Sequence, residues 1–143
     1  LGRACGTTVN ATSWNLSPGW AAGSMVSTLG DLHRWARDVA IGTLLTRGTQ
    51  KQRLRFMPHP GLRHVGYGLA LQSVNGWIGH NGDWPGYQSL SIYLPSQQAT
   101  VVGLVNTNAS SPHGAPLLLL GQAITRIITP KHIYQFCNAS RCQ

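Results

Sequence analysis

The stretch Gly79-His80-Asn81-Gly82-Asp83-Trp84-Pro85-Gly86-Tyr87-Gln88-Ser89 gathers the residue types best suited to chemistry in this sequence. Three Gly, a Pro, a His, an Asp and two aromatic rings fall within eleven residues. An imidazole can take or give a proton near neutral pH. Glycines on either side let a ligand or another backbone come close. Trp84, within the stretch, is a candidate for lining a pocket. The plainer reading of the same composition is a tight strand-to-strand loop with a surface His.

Little else in the sequence offers a competing site. Eleven Lys and Arg face only three acids, Asp31, Asp38 and Asp83, and the net charge is +8. A paired-carboxylate glycosidase needs two acids about one site, and a Mg or Ca site needs several oxygen ligands. Both classes fade. His59 and His64 flank Pro60-Gly61 with no metal-ligand spacing, His33 falls on the polar face of a helix, and His113 and His132 fall in loops. No metal and no cofactor are expected. The basic balance permits an anionic partner, but only Arg47 to Arg55 is a cluster, so nucleic acid is not expected. No apolar run reaches the roughly 18 residues that span a bilayer. Cys137 and Cys142 are spaced to close a small disulfide loop, which would fit an oxidising compartment. Cys5 would then be free or bridge to another chain, and three free thiols are the alternative.

The elements that must hold the stretch can be read from pattern. At 143 residues with 42% apolar content, the chain is one domain or a piece of one. Residues 1–26 read as irregular, with Trp14 and Trp20 as packing anchors. Thr28-Leu29-Gly30-Asp31 has the form of a capping box, and Leu32, Trp35, Ala36 and Val39 recur as one helix face ending at Gly42. A short helix is predicted over Gln50–Phe56. Tyr67–Val74 reads as a strand, Asn75-Gly76 as a hairpin turn, and Trp77–His80 as the return strand. Tyr87–Leu94 and Thr100–Asn106 read as further strands. Val101–Val105 is too apolar for a natural edge, so something should pair beside it. Leu117–Ile128 reads as a helix with Leu117, Leu120, Ala123 or Ile124, Ile127 and Ile128 sharing one face. The order gives an α+β fold, an antiparallel sheet covered by helices.

With these elements in place, an ordered set of segments resembles the serine β-lactamase-like and penicillin-binding protein family. His80-Asn81-Gly82 matches the family's H-x-G form of its third motif. Pro85-Gly86-Tyr87-Gln88-Ser89 follows it as in the family. Ala21 to Leu32 is similar to its Gly-Gly-x-x-Ser-Thr-x-x-Asp-Leu segment, Gly66-Tyr67-Gly68-Leu69 to its Tyr-Gly-Leu-Gly strand, and Thr100 to Asn106 to its strand ending in Asn. The similarity runs in order from about Pro18 to Ile128. No Ser here has Lys three residues on, and none of Tyr67, Tyr87, Tyr93 and Tyr134 begins Tyr-x-Asn. Both missing motifs lie N-terminal to this region in the family, so residues 1–143 resemble the C-terminal half of its domain.

The resemblance implies an enzyme class and roles. The family hydrolyses an ester, amide or lactam through an acyl-serine, its nucleophile activated by Lys and Tyr. The backbone N–H of Asp83 would be one of two oxyanion donors. His80 would orient the site or contact a substrate carboxylate, Asn81 would hydrogen-bond substrate, and Gly82 would let substrate lie close. Asp83 stands where the family often has a small residue, and an acid there repels an anionic substrate. Without a nucleophile, the isolated chain is expected to be catalytically silent. The half with Ser-x-x-Lys could be a second chain after cleavage or another subunit, or could simply lie outside these residues, and the compartment expected is extracytoplasmic. Two other readings stand beside it. One is a non-catalytic basic module for an anionic wall polymer or membrane surface. The other is a fragment with no function of its own.

Overall fold

The computed structural model describes residues 8–109 and 111–136. The cysteine expectations therefore lie outside the described residues. The chain forms a six-stranded antiparallel sheet with helices on both faces. Strands β1 (Met57–Pro58), β2 (Val65–Tyr67), β3 (Gln72–Val74), β4 (Trp77–Trp84), β5 (Tyr87–Leu94) and β6 (Ala99–Val105) pair in chain order. Short α1 (Trp20–Gly23), α2 (Leu29–Ile41) and α3 (Arg47–Arg53) precede them, and α4 (Pro116–Ile128) follows.

Helix α2 begins and ends where its sequence dictates. Thr28 Oγ1 accepts from the Asp31 N–H at 3.2 Å and donates to Asp31 Oδ2 at 2.9 Å. Gly42 closes the helix at φ +81°, a conformation glycine adopts without steric cost. Ala36 and Ala40 are small enough to lie flat against Tyr93, with Ile78 and Val102 beside them. Trp35, expected on this face, is 48% exposed. It sits on the flank of the helix, because the two alanines set the contact. Trp14 and Trp20 are exposed as well, so neither anchors the N-terminal segment.

Helix α3 starts earlier than predicted, since Thr46 caps it by accepting from the Thr49 N–H. Gln50 turns inward from α3, and its Nε2 donates to the carbonyls of Val39 and Ala40 at 3.0 and 3.2 Å. The last turn of α2 is thereby satisfied by a side chain.

The predicted strand over Tyr67–Val74 is two strands. The chain reverses between them and pairs Tyr67 with Gln72 and Val65 with Val74. A Cβ at Gly68 would overlap the carbonyl oxygen of Arg53, and Leu69 N–H donates to that same oxygen at 3.1 Å. This contact with the end of α3 pins the backbone where a continuous strand would have run. The Asn75-Gly76 turn is present, with φ +50° and +91°, the sign pair that matches strand twist.

The main core lies between the sheet and α4. Leu90, Ile92 and Leu94 alternate along β5 toward Trp77, Val74, Leu117 and Tyr134. Burying each such aliphatic side chain contributes about 1.5–3 kcal/mol. The inner face of α4 is Leu117, Gly121 and Thr125. A Cβ at Gly121 would press on Leu90, and one at Gly103 on Leu117, so helix and sheet meet at glycine on each side. Thr125 Oγ1 donates to the Gly121 carbonyl and accepts from the Tyr134 N–H, both at 2.8 Å. These small residues turn the helix away from the predicted face. Leu120, Ile127 and Ile128 point outward, and Ile127 is 81% exposed.

Strand β6 pairs only with β5 among the described residues. Val101 is buried, Val102 and Val105 are half-buried, and Leu104 is exposed. The expected neighbour on its far side is not among the described residues.

Candidate functional site

The candidate stretch is mostly strand. β4 continues through His80, Asn81, Gly82, Asp83 and Trp84, and only Pro85-Gly86 forms the turn to β5. The return strand was expected to end at His80. It extends because Tyr87, Gln88, Ser89 and Leu90 stand opposite Trp84, Asp83, Gly82 and Asn81 and pair with them.

One edge of this run is open. β3 reaches only as far as the Gln72–Gly79 pair, so among the described residues positions 80–84 have a partner strand on the β5 side alone. Successive residues in an antiparallel strand turn their N–H and C=O alternately toward one neighbour and the other. Val74 and Trp77 close the two-residue turn, so Gly79 addresses β3. Asn81 and Asp83 then address the same side, where β3 has ended. The Asp83 N–H accordingly lies on the open edge.

Side chains along the run divide between the two faces. His80 is in register with Ser91, whose Oγ lies 3.5 Å from the Leu32 carbonyl of α2. Asn81 is in register with Leu90, which meets Gly121 of α4. His80 and Asn81 thus leave the strand on opposite sides. Asn81, Gly82 and Asp83 come together with Gln88, Ser89, Ala115, Leu117 and Leu118 around a cavity of about 30 Å³. That is room for one water, not for a substrate. Gln88 is 3% exposed. Its Oε1 accepts from the Leu117 N–H at 3.1 Å, and its Nε2 is buried there with no partner among the described residues. Trp84 lines none of this cavity; its ring lies over Gly19 and Gly23 at α1.

His80 is also held by a residue that sequence reasoning passed over as a site residue. The Tyr67 hydroxyl lies 3.0 Å from His80 Nε2, and the two rings meet edge to face at 5.6 Å. His80 Nδ1 makes a short contact with the Asn81 carbonyl oxygen. A carbonyl oxygen only accepts, so Nδ1 carries the proton. In the neutral ring Nε2 is then the acceptor, and the Tyr67 O–H donates to it. The signal for Tyr67 was its place between Gly66 and Gly68. Both glycines pack against the end of α3 and β1, where a Cβ would meet Phe56 or Arg53.

A family model described as Beta-lactamase matches residues 3–123. The chain belongs to the serine β-lactamase-like and penicillin-binding protein family. A search of curated proteins finds no match. The antiparallel sheet with helices on both faces agrees with that membership. No helix among the described residues is long and apolar enough to cross a membrane.

Proposed function

We propose that this chain forms one wall of an acyl-serine hydrolase site acting on an ester, amide or lactam. The observation that carries the reading is the open edge of β4 from His80 to Trp84. A substrate carbonyl placed along that edge would meet the Asp83 N–H. Attack by a serine oxygen would form a tetrahedral oxyanion, and the Asp83 N–H with the nucleophile's own N–H would stabilise it. Each such donor contributes about 2.7–4 kcal/mol to the transition state. Gly82 leaves the strand surface free of a side chain beside the substrate, and Asn81 is the polar group next to it. Trp84 packs on α1 and supports the strand end.

The sequence holds neither Ser-x-x-Lys nor Tyr-x-Asn, so in this reading the nucleophile comes from outside it. A second chain is the proposed source, and the side of β6 that has no partner among the described residues supports a neighbouring strand. We place this assembly outside the cytoplasm. The test is labelling with a fluorophosphonate and with a fluorescent penicillin. The isolated chain should stay unlabelled, and a co-purifying polypeptide with Ser-x-x-Lys should take the label. Labelling of the isolated chain at serine would sink this division of labour.

The net charge of +8 favours one other reading, a basic module for an anionic polymer or membrane surface. Binding to anionic vesicles that weakens steeply between low and high salt, with no serine labelling in any fraction, would select it.

A further inference from the structure

We propose that Tyr67 is a positioning residue that holds the His80 ring at its Nε2 end, the Asn81 carbonyl having set the tautomer, and that the Tyr67 oxygen, rather than the imidazole, is the acceptor this edge presents. Both ring nitrogens of His80 are engaged. Nδ1 donates to the Asn81 carbonyl, and Nε2 lies 3.0 Å from the Tyr67 hydroxyl. The edge-to-face contact at 88° holds the imidazole plane. A base whose far nitrogen is tied to a backbone carbonyl and whose near nitrogen takes a hydroxyl proton is oriented from both ends. The ring has no lone pair left for substrate.

Tyr67 itself is 47% exposed, so its oxygen reaches solvent beside the open edge. Its one proton is committed to Nε2. The oxygen therefore offers lone pairs only, and it suits a hydrogen-bond donor such as a hydroxyl or an amide N–H. The Asp83 carboxyl lies on β4 and leaves that strand on the face opposite His80, so it takes no part in this acceptor. This refines the proposed hydrolase site toward substrates with a donor at that position. It rests on the hydrolase reading only for calling the edge a site, because the tautomer can be measured on the chain alone.

The test uses the full chain labelled with 15N. At pH 8, long-range proton–nitrogen spectra should show His80 protonated at Nδ1 with an unprotonated Nε2. In Tyr67→Phe the Nδ1 proton should stay with the Asn81 carbonyl, while the Nε2 resonance should shift as it loses the hydroxyl donor. Carbethoxylation by diethyl pyrocarbonate gives a second reading, followed by mass spectrometry with exposed His59, His64 and His113 as internal references. His80 should react about tenfold more slowly than these in the wild type and should speed up by a similar factor in Tyr67→Phe. An Nε2-protonated His80 in the wild type overturns the proposal even if the variant misfolds. So does a His80 rate that matches the reference histidines in the wild type, or one unchanged in a folded variant.

Discussion

The indole N–H of Trp77 donates to the carbonyl oxygen of His132, across 55 residues of sequence. His132 Nδ1 donates back to the Asn75 carbonyl at 3.0 Å, and Asn75 Nδ2 donates to the Ile133 carbonyl at 3.2 Å. The segment after α4 is thereby fastened to the turn from which β4 sets out. Trp77 is fully buried, so the bond is shielded from water. Trp77→Phe keeps most of the ring volume but leaves the His132 carbonyl without its indole donor. Urea unfolding should show a loss of about 1–3 kcal/mol.

The two glycines that flank His80-Asn81 should respond very differently to alanine. A Cβ at Gly79, where φ is +156°, would overlap the backbone carbonyl of Ser91, which the sheet holds in place. A Cβ at Gly82 meets only the Ser89 hydroxyl, which can rotate away. Gly79→Ala should cost about 3 kcal/mol or more, and Gly82→Ala about 1 kcal/mol or less. Comparable unfolding midpoints for the two variants would contradict the strand geometry described for β4.

Thr28 is exposed yet carries the start of α2. Thr28→Ala should lower stability by about 1 kcal/mol, and Thr28→Ser should restore most of it. Hydrogen exchange should speed up first at the Asp31 amide, the proton that Thr28 accepts.

Tyr134 gives the fold an alkaline limit. Burial pushes its hydroxyl well above the ordinary tyrosine value. An unfolded tyrosine ionises near 10, so above that pH the unfolded chain binds fewer protons than the folded one. The contribution is complete below about pH 10 and is lost as pH rises beyond it. Urea midpoints of the wild type should fall from pH 10 to 11 more steeply than those of Tyr134→Phe. Parallel curves would remove the assignment.

What was legible in the sequence was local. Thr28 and Gly42 bound α2, and Asn75-Gly76 makes a turn wherever it stands between two apolar runs. β5 spans Tyr87–Leu94 as read, because Pro95 cannot continue it. The misses came from contacts distant along the chain. Nothing near Gly68 marks the break between β2 and β3, which the Arg53 carbonyl imposes. The buried face of α4 centres on Gly121 and Thr125, residues that a hydrophobic pattern passes over. Trp20 and Trp35 read as core by type, yet each stands on a surface. At the candidate site, His80, Asn81 and Gly82 were singled out by resemblance to the family's H-x-G form, whereas Tyr67 reaches His80 only after the chain has reversed at Gly68. Family membership was legible in the ordered motifs, since each is a short segment with its own signature.

The order of the sheet has a kinetic meaning. Among the described residues, every strand pairs with the strand that precedes or follows it in the chain, and no crossover intervenes. Each hairpin can close as soon as its second strand exists, so the search cost of distant pairing is small. A chain of this design should fold early, strand by strand as it is made, within a chain-entropy cost set by short loops. The β4–β5 hairpin that bears His80 needs no strand from elsewhere in the chain to close.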